Sequence, residues 1–463
     1  MTSEVFDLAT PKSVHIVAIG GAAMSAIASI LTSLGHRVTG SDLATSPVVD
    51  RLRSTGITVH VGHDASNVAS DVDVVAISTA VRADNVEVVA ARERGIPVLS
   101  RQDVMAAICA TKRTIGVAGT HGKTTTTSML ALVLTDAGLQ PSYLVGGQLT
   151  KLGSGVAWTD GDWFVVEADE SDRTFLALGA EAAIVTSVEA DHLDQYGDVA
   201  AIEQAFGDFL AEASGPRVVC LDDPGAAKVA AAAASAGVGD ITTYGTAEGA
   251  DYRIVDLETS RSSVRFALDI RGDRRVELTL PVPGAHNARN ATAALALAHG
   301  LGVDPEVAAS ALARYGGVSR RFEFRGERNG ITFVDDYAHN PGKVAAVLAA
   351  ARGGGWDRVV AVFQPHLYSR TADLATEFGR SFTDADLVVV TDVYGAREDP
   401  RPGVTGALIV DAIAAEDPGR EVVWCPGRSE LAERVRELLS PGDLCITLGA
   451  GDVNAIHDEL LAG

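Results

Sequence analysis

Cysteine is scarce in this chain. Only four are present, Cys109, Cys220, Cys425 and Cys445, spread along 463 residues with no C-x-x-C pair. That spacing argues against a disulfide frame or a zinc site and points to reduced, mainly structural thiols in a cytoplasmic protein. Long apolar runs are missing as well. None approaches the ~18–20 residues of a membrane span. The opening MTSEVFDLATPKS has neither the basic start nor the apolar stretch of a secretory signal, so no membrane partner is expected. Positive charge is in short supply: 38 basic side chains against 61 acidic ones give a formal net charge of −23. Nucleic-acid affinity comes mainly from Lys and Arg neutralising phosphates, so nucleic acid is not expected as a partner. An anionic ligand would have to be met by cations gathered locally. The question becomes where the few basic residues meet glycine loops.

At ~150 residues per domain the length allows roughly three domains, and the hydrophobic pattern changes character twice. Val14–Ile19, Val38–Thr39, Val72–Ile77 and Pro97–Leu99 are short apolar runs with helical stretches between them. This is the β-α-β pattern of a parallel sheet covered on both faces. A second series runs through Thr114–Val117, Trp163–Glu167, Ala182–Val185 and Arg217–Leu221. It then turns into polar-apolar alternation around Arg271-Gly272-Asp273, which predicts antiparallel hairpins. An alanine-rich helix over Ala288–His299 follows. After Ser319-Arg320-Arg321 five strand candidates (ITFVDDY, RVVAVF, DLVVVTDV, EVVWC, DLCITLGAG) alternate with helices, as in a doubly wound α/β domain. Boundaries fall near residues 111 and 319.

The most informative segment is Val117-Ala118-Gly119-Thr120-His121-Gly122-Lys123-Thr124-Thr125, between a predicted strand and a predicted helix. Small residues let backbone N–H groups approach phosphate oxygens, the helix N-terminus adds positive potential, and Lys123 adds a mobile charge. Thr124 is placed to offer its hydroxyl to magnesium, although Val117 breaks the strict G-x-x-x-x-G-K-[ST] pattern. Glu167-Ala168-Asp169-Glu170-Ser171-Asp172 sets four acids at a strand end, a costly arrangement unless a cation sits among them. His192, within Glu189-Ala190-Asp191-His192, is either a structural histidine or a ligand at a strand's carboxyl end. Asn287 either caps the alanine-rich helix or joins Asn290 in reading a purine edge. Arg320-Arg321 is either a solvated linker or a phosphate clamp at a hinge. Asp336 and His339 close one strand of the last series; His366 and Arg370 follow the next. Near the start, Gly20, Gly21, Met24 and Ser25 form a strand-to-helix loop with Asp42 about 20 residues later, as in a dinucleotide fold. Ala18 and Ala23 break that fold's glycine fingerprint and argue against a standard nicotinamide site.

Together GTHGKTTT, EADESD, HLDQYG, GAHNARNA, SRRFEF, VDDYAHNP, FQPHLYSR and TLGAGD resemble the Mur ligase family of ATP-dependent amide-forming enzymes. The resemblance covers essentially the whole chain. It implies an α/β protein of three domains: a Rossmann-like UDP-sugar-binding domain (1–111), a central ATP-binding domain (112–318) and a Rossmann-like amino-acid-binding domain (319–463). The central domain would be P-loop-type, with a mainly parallel sheet and a small antiparallel one. The implied reaction joins L-alanine to the lactyl carboxylate of UDP-N-acetylmuramate through an acyl phosphate, with ATP and Mg2+, in peptidoglycan precursor synthesis.

Carried over by residue, the resemblance makes Lys123, Glu167, His192, Arg321 and His339 catalytic. Gly119, Thr120, Gly122, Lys123, Thr124, Thr125, Asn287, Asn290, Arg321 and Asp336 would bind ATP. Thr124, Glu167 and His192 would form the metal site. Gly20, Gly21, Met24, Ser25, Asp42 and His121 would meet the UDP-sugar, and His339, His366 and Arg370 the amino acid. Asn340 and Leu367 depart from the family pattern, where a histidine and an arginine are common. Phe206 stands where later-step relatives carry a carbamylated lysine, which favours the first-step enzyme. The partners implied are small molecules, acting on a monomer or homodimer. The nearest alternative is a recycling ligase that attaches a preformed murein peptide to the same sugar nucleotide. A nucleotide-switched scaffold is a more distant one and gives no reason for the acids at Glu167.

Overall fold

The computed structural model describes residues 6–462 except 79, 148, 150, 192 and 397; of residues 193 and 194 only the backbone is described. Three sheets follow one another along the chain. The first contains β1 (Ser13–Val17), β2 (Arg37–Asp42), β3 (Thr58–Val61), β4 (Val74–Ile77) and β5 (Val98–Ser100), in the order β3-β2-β1-β4-β5 and parallel throughout. The five residues of β1, SVHIV, are all buried, which explains why the sequence shows a continuous run and no alternation. The short β3 has only one fully buried position and gave no apolar run.

The central sheet contains β6 (Arg113–Ala118), β7 (Ser142–Leu144), β8 (Val156–Ala157), β9 (Trp163–Glu167), β10 (Ala182–Val185), β11 (Arg217–Cys220), β12 (Ile241–Gly245), β13 (Tyr252–Thr259), β14 (Val264–Ile270) and β15 (Arg274–Leu280). Their order is β15-β14-β13-β12-β11-β10-β6-β9-β7-β8. The antiparallel strands β13–β15 continue this sheet, joined to it where β12 and β13 pair in parallel at Tyr244↔Tyr252 and Gly245↔Arg253. The third sheet contains β16 (Glu323–Arg328), β17 (Ile331–Asp336), β18 (Arg358–Phe363), β19 (Leu387–Val390), β20 (Glu421–Trp424) and β21 (Asp443–Leu448), in the order β16-β17-β21-β18-β19-β20. The five strands expected here are β17–β21, all parallel. The charged edge strand β16, EFRGER, pairs antiparallel with β17 and carried no apolar signal.

Two faces of the central sheet are packed differently. On one lie the helices Lys123–Asp136, Ala285–Gly300 and Pro305–Leu312, around Leu130, Leu134, Leu295 and Leu297. Helix Ala285–Gly300 is buried along most of its length, and its alanines allow that close approach at little entropic cost. On the other face Phe164, Phe175, Phe206 and Phe209 belong to an apolar cluster that runs on into the first domain through Ile16, Ile27 and Ile108. A fully buried Phe or Ile contributes about 1.5–3 kcal/mol, so these two domains are held as one body. The third domain has separate cores around Phe363, Phe378 and Phe382 and around Val362, Val389 and Val453. It meets the central domain through polar contacts. Arg261, on the β13–β14 hairpin, donates to the carbonyls of Gly354 and Gly355 and lies over the Trp356 ring. Cys109, Cys220, Cys425 and Cys445 are all buried and unpaired. Among the described residues no helix is long and apolar enough to cross a membrane.

Candidate functional site at the central seam

The strand β6 ends at Ala118, and the chain turns through Gly119 into helix Lys123–Asp136. Gly119 has φ +138°, and a Cβ there would lie 2.1 Å from Thr186 Oγ1. Gly122, at φ +80°, precedes the helix and offers no side-chain cap, so the first-turn N–H groups have no capping side chain. These two positions require glycine, and the open helix end is an anion site in waiting.

Around it the expected ATP and metal residues converge. Thr124 Oγ1 donates to both carboxylate oxygens of Glu167, at 3.0 Å each, and Gly146 N–H donates to Glu167 Oε2 at 3.0 Å. Arg321 Nη2, from the third domain, donates to Thr124 Oγ1 at 3.3 Å. Lys123 Nζ donates to Gly119 O at 2.6 Å and to Glu170 Oε1 at 2.8 Å. Glu170 is buried, and among the described residues its other oxygen has no partner. Lys123 is therefore held by a carboxylate that any anion entering here would have to displace. A carboxylate and a hydroxyl are the hard oxygen donors that magnesium prefers, and Glu167 with Thr124 fits that ion. His192, the remaining expected metal residue, lies outside the described residues.

Lys123, Thr124, Glu167 and Arg321 line a cavity of about 390 Å³ between the central and third domains. Thr120, Gly122, Thr125, Asn287, Asn290 and Asp336 line it too. Asn287 does not cap its helix, which begins after Gly284; its Nδ2 donates to Pro283 O at 2.7 Å. Asn290 keeps Oδ1 against the loop, where a Cβ at Gly122 would meet it at 2.6 Å. Asp336 accepts from Phe322 N and Ala338 N, both at 2.8 Å. Both its oxygens hold the hinge, and burial pushes its carboxyl above the usual range despite Arg321. The adjacent arginines part company. Arg320 pairs with Asp335 at 3.0 Å and donates to Gly449 O and Gly451 O, all inside the third domain. Arg321 alone reaches the phosphate loop.

Other expected residues sit elsewhere. His121, assigned to the UDP-sugar, lines this cavity and meets Glu189 at 3.0 Å. In the first domain Gly20 N–H donates to Asp42 Oδ2 at 2.8 Å, so the acid ties down the loop that precedes it. Met24 is buried in the apolar core and Ser25 Oγ donates to Ala22 O, which leaves Gly20 and Gly21 to present the loop's surface. Beside the seam, His339, His366 and Arg370 come together: the two imidazole centroids are 5.5 Å apart, and Arg370 Nη1 lies 3.3 Å from His366 Nδ1. His339 Nδ1 lies 2.8 Å from Tyr337 O. Burial pushes its pKa down to about 3, with Arg370 and Lys343 adding to the fall. An efficient general base has a pKa near the working pH, so His339 is suited to positioning a substrate rather than to removing its proton. Sequence reasoning missed Lys343, which also lines the cavity. Its signal was its place directly after Asn340-Pro341-Gly342, at the start of a helix.

Comparison with known proteins agrees with this layout. Three family models match in order: "Mur ligase family, catalytic domain" over residues 13–113, "Mur ligase middle domain" over 117–298, and "Mur ligase, glutamate ligase domain" over 320–451. The UDP-N-acetylmuramate--L-alanine ligase of Kineococcus radiotolerans is 49% identical, covering 97% of this chain and 95% of its own. That of Thermobifida fusca is 46% identical, covering 97% and 96%. The crystal structure of UDP-N-acetylmuramate-alanine ligase from Thermotoga maritima superposes with a TM-score of 0.81 at 30% identity, covering 97% of this chain and 98% of that one. With its phosphate loop, acid cluster and hinge arginine on matching modules in the same order, this chain belongs to the Mur ligase family.

Proposed function

We propose that this protein joins L-alanine to the lactyl carboxylate of UDP-N-acetylmuramate, with ATP cleaved to ADP and phosphate. The single observation that carries this reading is the seam cavity, where Lys123, Thr124, Glu167 and Arg321 converge from two domains. The names borne by its full-length relatives support the choice of sugar and amino acid. They favour that choice over attachment of a preformed murein peptide.

A carboxylate is a poor electrophile, and an amine attacking it directly would have to expel oxide. Phosphorylation converts it to an acyl phosphate. Phosphoryl transfer needs positioning and charge stabilisation more than covalent help. Lys123 and the open helix end take up phosphate charge once Glu170 is displaced, and Arg321 brings a planar cation from the third domain. Glu167 and Thr124 would hold magnesium, which when bound neutralises phosphate charge. Asn287 and Asn290 stand at the adenine side and Asp336 fixes the hinge. The His339, His366 and Arg370 cluster orients L-alanine, whose free amine attacks the acyl carbon; the C–N bond forms, the C–O bond to phosphate breaks, and the proton lost by the amine leaves on the phosphate. Closing the seam excludes water, which would otherwise hydrolyse the acyl phosphate. The first-domain loop with Gly20, Gly21 and Asp42 receives the nucleotide sugar, and His121 faces the reacting end. In this reading the enzyme is cytoplasmic, where ATP and nucleotide sugars are found.

Phosphate release should require UDP-N-acetylmuramate and L-alanine together. Release that is indifferent to L-alanine and instead follows a preformed tripeptide would transfer the assignment to the recycling reaction.

A further inference from the structure

One cation on the wall of the seam cavity has no role in the scheme above. Lys343 lies in the first turn of helix Pro341–Arg352, whose start is fixed by Pro341 and by Asn340 Oδ1 accepting from Lys343 N–H at 2.9 Å. Its side chain lines the cavity. Lys123 and Arg321 are both engaged, on Glu170 and Thr124. Among the described residues the Lys343 ammonium makes no hydrogen bond or ion pair. Burial and the nearby charges of Lys123 and Arg321 lower its pKa from the ordinary lysine value, and Asp191 and Glu170 offset only part of this. A lysine on a solvated face would carry its ammonium out into water. Three cations gathered on one half-buried wall repel each other and make sense if an anion joins them.

The place of the helix says which part of the anion. A Cβ on Gly342 would come within 3.7 Å of His121 Nε2 and 4.0 Å of Glu189 Oε2. The helix start thus stands beside His121 of the glycine loop. We infer that Lys343 is a further catalytic residue: a cation that the third domain brings to the phosphoryl group passing from ATP to the sugar-linked carboxylate. The inference rests on the ligase reading and deepens it. In that transfer a carboxylate oxygen bonds to the γ-phosphorus while the bond to the β,γ-bridging oxygen breaks, and the electron pair leaves on ADP; no proton moves. Lys343 acts as a compact point charge on the transferring oxygens. Because it arrives from a domain attached through polar contacts, its charge counts most once the seam is shut.

The test uses the full chain with K343M and K343R. With all substrates present, K343M should lose about 100-fold or more in kcat, the scale of removing one preorganised charge donor. Its KM for ATP should move by less than about 3-fold, since the interaction belongs to the transition state. K343R should recover part of the rate. Without nucleotide, K343M should melt no lower than the wild type, because an unpaired cation has been removed from beside two others. ADP with aluminium fluoride should raise the melting temperature of the wild type and not that of K343M. A kcat within about 3-fold of the wild type would overturn the inference, as would a lost rate accompanied by a lower melting temperature and no rescue by arginine. A wild type that makes no ADP from the two substrates would instead sink the ligase reading, and the aluminium fluoride comparison would then decide the role of the lysine by itself.

Discussion

The chain contains two small-residue loops of the same design, each leading from a buried parallel strand into a helix, and they are wired in opposite ways. In the first domain, Gly20 and Gly21 precede helix Ala22–Ser33, and Asp42, at the end of β2, accepts from Gly20 N–H. No cation lies in the segment Ile19–Ser33, and Met24 is part of the core. In the central domain, Gly119 and Gly122 precede helix Lys123–Asp136, and Lys123, Arg321 and Lys343 crowd around an open helix end. The comparison teaches that a glycine loop supplies only access. In the proposed reading one loop takes a triphosphate through charge and the other a diphosphate sugar mainly through backbone groups, and the difference lies in what the rest of the fold brings to each.

The contrast can be broken most severely at its charged end. K123A or E167Q should lower kcat by about 1000-fold or more, since each removes a charge or ligand that phosphoryl transfer depends on; ADP formation under saturating substrates is the measurement.

Acid should separate the Glu87 cluster of the first domain from the other two domains. Burial holds His286 and His457 at about 4 and His339 at about 3, below the ordinary histidine value. A histidine with a lowered folded pKa binds its proton more readily when unfolded. Its contribution is complete above about 6.5 and is lost as pH falls towards the folded value. In the first domain, Glu87 is held at about 2 by its hydrogen bonds from His15, Ser41 and Asn67. Its contribution is complete above the ordinary glutamate value and fails only below it. Amide hydrogen exchange should therefore show the second and third domains loosening between pH 6.5 and pH 4.5, before the Glu87 cluster does.

A gentler break is G119A. At φ +138° and with Thr186 Oγ1 in the way, it should cost about 1–3 kcal/mol of stability. It should also abolish the rise in melting temperature on adding ATP. The mildest is D42N. It weakens the tie to Gly20, and the expected change is about 10-fold in KM for the sugar nucleotide, corresponding to ~1.4 kcal/mol, with KM for ATP unaltered. Equal effects on both KM values would erase the distinction between the loops.

Much of this was legible beforehand where burial is two-sided. β1, β9, β10 and β18 are continuous apolar runs because helices or neighbouring domains cover both faces. The strands β3, β7, β8 and β16 were not legible, being short, exposed or charged and held in place by their neighbours in the sheet. In the site, Lys123, Thr124 and Glu167 announced themselves through local pattern. Local pattern alone did not separate Arg320 from Arg321, which only the resemblance distinguished; the left-handed turn at Arg320 (φ 61°) accompanies the split that sends one inward to Asp335 and the other across to Thr124. The meeting of His121 with Glu189, 68 residues away, had no local signal.

The sequence by itself determined the class of chemistry: a helix start that attracts phosphate, acids at strand ends and a scarcity of cations elsewhere. These are effects of neighbouring residues and of backbone geometry that acts over one turn. Which cations share a wall, which acid holds the phosphate lysine, and where the third domain lays its helix were decided only by the tertiary structure. Coulomb energy depends on distances in space, and the groups that meet at the seam include Thr124 and Arg321, 197 residues apart in the chain.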